Sequence, residues 1–341
     1  MVVRSALPIG AGLGSSAAVS TCIAASLLYT HGHLPPPDAE QTEIPASHAK
    51  IINSYAFLAE KVIHGNPSGV DNSVATFGGA LAFTRAHESN DLTENKMEVL
   101  RGFSKVRFLL TDTRVGRDTK TLVANVGRQK VEEPERVNGR LQAIQGISDG
   151  ACAALKASAA SEASGNVTVV SPASGEAVAT LSRTDLLAKL EELMDENHTH
   201  LVDLQVSHPR LEEIRTATKE RSGDATSSSS GSASRRPLAT KLTGAGGGGC
   251  AVTLIPDDLD ETELRELIAD LEARGFVCYE TTVGGPGVGV LIENGSGSSA
   301  APAASSAAAV SKVDDRTRLE IVPAIELTRW AEGLDGKWTF A

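Results

Sequence analysis

Three observations predict an α+β fold, with helices layered on a sheet. Near the C-terminal end, the strand-like runs Ala251 to Ile255 and Phe276 to Thr282 flank Leu264, Leu267, Ile268 and Leu271, which stand at helical spacing. Strand, helix and strand at these lengths form a sheet with helices on one face. Two glycine clusters, Gly10 to Gly14 and Gly244 to Gly249, join directly onto an apolar element. The second reads as a built turn of a packed fold, since a flexible linker would carry serine and would not run straight into a strand. Finally, 341 residues at 41% hydrophobic content suffice for two domains with separate cores.

The first cluster follows a short strand, Val2 to Leu7, and precedes a helix in which Val19, Ile23 and Leu27 recur up to about Thr30. Alternate glycines let a ligand approach the backbone, and the helix start supplies free N–H groups and a positive dipole end. The turn lacks the lysine of a Walker A loop, and its G-x-G-x-G spacing departs from the dinucleotide fingerprint. Close backbone packing and phosphate binding both fit the turn by itself. A second helix shows Ile51, Tyr55, Leu58 and Val62 on one face, with Glu60 off that stripe and Gly65 as its stop. A polar turn, His64 to Asn72, follows and brings a carboxylate, amides and a hydroxyl between two apolar elements. Val106, Phe108 and Leu110 alternate as a strand that leads into Thr111 to Thr119.

A helical region from Thr121 to Lys156, broken near Pro134 and at Gly146, carries Leu141, Ile144, Ile147 and Leu155 as core candidates. Helices follow at Arg183 to Asn197 and Leu211 to Lys219. The Ala/Ser/Gly-rich tracts 157–175, 222–234 and 294–311 read as solvated insertions and linker. His198 and His200 do not share a helix face, so they are read as core or surface histidines rather than metal ligands.

The net charge of -11 argues against nucleic acid or an anionic membrane as the main partner, because both need a basic face. An anion site in such a protein must be made locally, from backbone dipoles, a metal ion or a few placed cations. Cys22, Cys152, Cys250 and Cys278 are scattered without a C-x-x-C pair, which reads as reduced thiols in a cytosolic protein. No apolar run reaches the length of a membrane span, and no signal segment follows Met1.

Leu7 to Ala18, Lys241 to Cys250, Glu60 with His64 to Asp71, and Thr111 to Thr119 together resemble the motifs of the GHMP kinases, and within that superfamily those of the mevalonate kinases. The resemblance runs from Val2 to about Ile292. It implies an α+β fold of two domains: a ribosomal-protein-S5-like N-terminal domain over 1–105, with the phosphate loop at 7–18, and a ferredoxin-like domain over 106–292. The insertions 157–175 and 222–234 interrupt the second domain, and 293–341 is a linker and tail.

The same resemblance implies an ATP- and Mg²⁺-dependent kinase acting on mevalonate, cytoplasmic and homodimeric. Asp71 is then the catalytic carboxylate. Gly10, Ala11, Gly12, Leu13, Gly14, Ser15 and Ser16 wrap the ATP phosphates, and Ser16 and Glu60 hold Mg²⁺. Ser68, Arg117, Thr119, Gly246 and Gly247 fall near the substrate or phosphates. The family's first motif, an N-terminal strand bearing a lysine, has no counterpart here, so the N-terminal domain reads as incomplete. The alternative expectation is a catalytically silent relative with a ligand-binding or regulatory role.

Overall fold

The computed structural model describes residues 3, 5, 7, 13–37, 43–65, 67–84, 96–116, 118–164, 180–220, 236–292 and 337–340. Gly10, Ala11, Gly12 and Arg117 lie outside these residues, as do Val2, Arg4 and Ala6 and most of the three low-complexity tracts.

The chain opens with α1 (Ser15–Thr30), α2 (Ala46–His64) and α3 (Val70–Phe77), followed by the antiparallel hairpin β1 (Ala80–Thr84) and β2 (Lys96–Leu100). The inward face of α1 is made of small residues, Ala17, Ala18, Ser20, Thr21, Ala24 and Ala25, which let α2 approach closely. Against it α2 presents Ala49, Ile52, Ala56 and Glu60. This corrects the apolar stripe expected on α2: Ile51, Tyr55, Leu58 and Val62 are exposed. The small-residue face of α1 receives alanine and one isoleucine where it has no room for larger chains, and Glu60 therefore sits on the buried stripe. The stop at Gly65 is as expected, with φ at 76°.

Next come β3 (Val106–Asp112), α4 (Thr119–Glu132), α5 (Pro134–Ser164), α6 (Arg183–Asp203), α7 (Pro209–Lys219), β4 (Thr240–Leu242), β5 (Cys250–Ile255), α8 (Glu261–Ala273) and β6 (Val277–Val283). β4, β5, β3 and β6 pair in that order, all antiparallel. This is the order of a split β-α-β-β-α-β unit, with the first strand between the third and the last. On one face Leu109, Leu242, Ala251 and Ile255 pack with Leu211 and Ile214 of α7 and Leu264, Leu267 and Leu271 of α8. On the other, Val106 and Leu254 meet Leu186, Leu190 and Met194 of α6. Both faces are covered, so β3 and β5 read as continuous apolar runs.

Three boundaries differ from expectation. α5 passes Gly146 without a break and continues to Ser164, so the first part of the 157–175 tract is helical, with Ser158 buried. Alanine-rich sequence is a strong helix former when one side has something to pack on, here Phe103 and α6. α6 runs to Asp203 rather than stopping at Asn197. The tail is not all linker: β8 (Lys337–Phe340) pairs antiparallel with β7 (Gly289–Ile292). None of the four cysteines is in a disulfide, and among the described residues no helix is long and apolar enough to cross a membrane.

His198 is almost fully buried, with Nε2 3.0 Å from Glu212 Oε1 and Nδ1 accepting from the Leu242 N–H. Burial holds its pKa below the usual 6.5, against the opposing pull of Glu212. The unfolded chain therefore takes up this proton first, and stability drops as pH falls through about 6.5. Thermal melts from pH 7.5 to 5.5 are expected to show a smaller decline for His198→Gln than for the parent. Parallel declines would remove His198 as the source.

Candidate active site

The site is assembled by helix starts and close helix packing. Gly14, N-cap of α1, has φ 71°, which ends the glycine turn and aims the first N–H groups of α1 outward. A Cβ on Gly14 would lie 3.4 Å from the Cβ and 3.5 Å from the Cγ of Asp71, so the backbone at Gly14 lies against that side chain. Asp71 itself stands in the first turn of α3, whose N-cap Gly69 has φ 80°. The polar turn of the sequence is thus shorter than expected, since Val70 already begins a helix. A carboxylate in a first helical turn is favoured by the helix dipole.

Glu60 supplies the third element. Glu60 is 5% exposed, and its carboxylate accepts from Ser16 Oγ at 3.0 Å and from Ser20 Oγ at 2.9 Å. Those two hydroxyls offset the cost of removing a carboxylate from water. His64, one turn further along α2, places Nε2 3.2 Å from Ser16 Oγ and 3.6 Å from Glu60 Oε2. Ser16, Glu60, Asp71 and the end of the glycine turn therefore converge, with His64 at their rim. His64 is legible in sequence as the start of the polar turn, but neither it nor Ser20 has a site role that can be read there. The spacing of Ser16 and Ser20, one helical turn apart, was the available signal.

Asp71 is open to solvent along one side, yet its carboxyl is crowded by neighbouring atoms. That desolvation, and secondarily the nearby charge of Glu60, raises its pKa above the usual 3.8, while His64 pulls the other way. The group is thereby made a better proton acceptor than an ordinary surface carboxylate.

The remaining expected residues divide. Ser68 accepts from the Val70 N–H at 3.3 Å, just ahead of Asp71. Thr119 opens α4, whose N-cap Asp118 is held ionised by hydrogen bonds from Thr121. Gly246 and Gly247 form part of a loop packed on the 113–115 segment: Gly249 N–H donates to Val115 C=O and Thr113 N–H donates to Gly249 C=O. A Cβ on Gly246 would fall 1.9 Å from Val206 C=O, and one on Gly247 2.6 Å from a Leu122 methyl. Close packing by itself accounts for glycine at both positions. Among the described residues no group of three His, Cys, Asp or Glu side chains is placed to hold a metal ion. The oxygen pair of Ser16 and Glu60 nonetheless suits a hard cation such as Mg²⁺, which takes one or two protein oxygens and completes its shell with water and phosphate.

Residues 1–79 match the GHMP kinases N terminal domain family. The chain is 38% identical to the mevalonate kinase of Candida albicans over 299 residues, covering 85% of this chain and 59% of that protein. It is 38% identical to the mevalonate kinase of Homo sapiens over 293 residues, covering 85% and 63%. It thus spans less than two thirds of the length of these relatives. Among solved structures, L. major mevalonate kinase in complex with R-mevalonate has the same fold, with a TM-score of 0.52 at 21% identity over 83% of this chain and 67% of the other.

Proposed function

We propose, since this chain belongs to the GHMP kinase superfamily and has mevalonate kinases as its relatives, that it transfers the γ-phosphoryl group of ATP to mevalonate, giving 5-phosphomevalonate. The observation that carries the proposal is the convergence of Asp71, Glu60 and Ser16 on the start of α1. Phosphoryl transfer asks for a placed nucleophile, donors for the phosphate oxygens and a hard cation, with little covalent chemistry from the protein. The backbone N–H groups at the start of α1 donate to phosphate oxygens. Asp71 accepts or orients the proton of the acceptor hydroxyl, and its elevated pKa matches that work. Ser16 Oγ and Glu60 are the oxygens that would hold Mg²⁺, which would offset the negative charge of the phosphate groups. Ser20 fixes the second oxygen of Glu60 and so keeps that carboxylate turned toward Ser16. Ser68, Arg117, Thr119 and the 244–249 loop are assigned to the substrate and phosphate surroundings, and the working form is assigned as a cytosolic homodimer.

Comparing ADP release with mevalonate, galactose and homoserine as acceptors tests the reading. Release is expected with mevalonate well above the other two. Equal rates for all three would overturn the mevalonate assignment while leaving a kinase.

A further inference from the structure

A second chamber lies beside α3. It encloses about 400 Å³, within the range of small-ligand pockets, and its walls are almost wholly apolar. Val74, one turn beyond Asp71 on α3, closes one side, and Leu190 and Met194 of α6 close another. The floor is the sheet. Lys241 pairs with Val252, and Val252 with Leu110, so the three form one cross-strand row facing the chamber.

Lys241 does not belong in such a floor by packing alone. Its ammonium donates to the Leu242 carbonyl at 2.9 Å, and among the described residues no carboxylate pairs with it. Its charge opposes the protonation of His198. Burial is the cause that lowers the Lys241 pKa, with no acid to counter it. An ammonium without a counter-charge in an apolar chamber is costly, and a methionine would fill the same row without that cost.

We infer that this chamber binds an aliphatic carboxylate, with its hydrocarbon body against Val74, Leu110, Val252 and Met194 and its carboxylate on the Lys241 ammonium. The anion supplies the missing counter-charge, and the apolar walls take a body that water rejects. Two sources share this chemistry: the proposed acceptor, itself a branched hydroxy-carboxylate, and a separate aliphatic acid.

Calorimetric titration with octanoate and with 1-octanol reads the site directly. The parent protein is expected to bind octanoate at least tenfold more tightly than octanol. Lys241→Met is expected to lose that preference while still binding octanol, which also shows that the chamber is folded. Equal binding of the two probes by the parent, no binding of either, or an unchanged preference in Lys241→Met would overturn the inference. Asp71→Asn is expected to bind octanoate like the parent, so failure of the kinase reading and failure of this one are separable. Displacement of octanoate by mevalonate would identify the acceptor as the occupant, and binding without displacement would identify a separate acid; either supports the site.

Discussion

Asp71→Asn is expected to lower kcat by about 10³-fold or more, while the melting temperature at neutral pH stays equal to the parent's or rises. A positioned general base contributes on the order of 10²–10⁴ in rate, and the amide cannot accept the proton. The stability half of the result follows from the direction of the pKa shift. Crowding and Glu60 raise the Asp71 pKa in the folded protein, so the fold holds this proton more tightly than the unfolded chain does. Between the ordinary carboxylate value and the raised one, the unfolded chain is the first to ionise, and stability declines as pH rises through that window. Asparagine removes the unfavourable charge. Turnover within tenfold of the parent would take Asp71 out of its role, whereas a large fall in melting temperature would mean that the loss of activity reports unfolding.

Gly287→Ala is expected to cost about 1–3 kcal/mol of stability and to lower kcat by about 10²-fold, though Gly287 touches no member of the Asp71 cluster. The loop after β6 closes on the C-terminal end of α3 through backbone contacts. Gly79 N–H donates to Gly285 C=O at 2.9 Å, and Val288 N–H donates to Thr76 C=O at 3.1 Å. A Cβ on Gly287 would stand 2.1 Å from the Thr76 carbonyl oxygen, far inside any real contact. Because α3 has only eight residues, moving its last turn also moves Asp71 in its first. Gly139→Ala in α5 is the control: nothing lies within 4 Å of its Cβ position, and a helical Gly→Ala change stabilises by roughly 0.5–1 kcal/mol. Denaturant unfolding and steady-state kinetics on both variants make the comparison. A Gly287→Ala protein with parent-like stability and kcat would show that the loop does not hold α3 in place.

Much of the architecture was legible because its signals are local. The helix after Gly14, the stop at Gly65, the strand over Val106 to Leu110 and the β5, α8, β6 succession all follow from periodicity and turn residues. The buried face of α2 is not legible from hydrophobic size, since Ile51, Tyr55, Leu58 and Val62 are exposed. Burial there is decided by fit against the alanines of α1, a property of the pair and not of either helix. Glu60 belongs to that buried face, because Ile52, Ala56 and Glu60 stand four residues apart on one stripe. The roles of Ser20 and His64 depend on the crossing of α1 and α2, and the tail strand Lys337–Phe340 depends on a partner about forty-five residues earlier, beyond the reach of local pattern. Lys241 was legible as part of a glycine motif, but its chamber is set by strand register and the placement of α3 and α6.

Phosphorus NMR of the reaction with ATP, Mg²⁺ and mevalonate tests the central claim most directly, because it reads where the phosphoryl group goes. The account predicts a new phosphomonoester resonance that grows in step with ADP for the parent protein and is absent for Asp71→Asn. ADP formed with inorganic phosphate alone, or an ester formed equally by the Asp71→Asn variant, would contradict it.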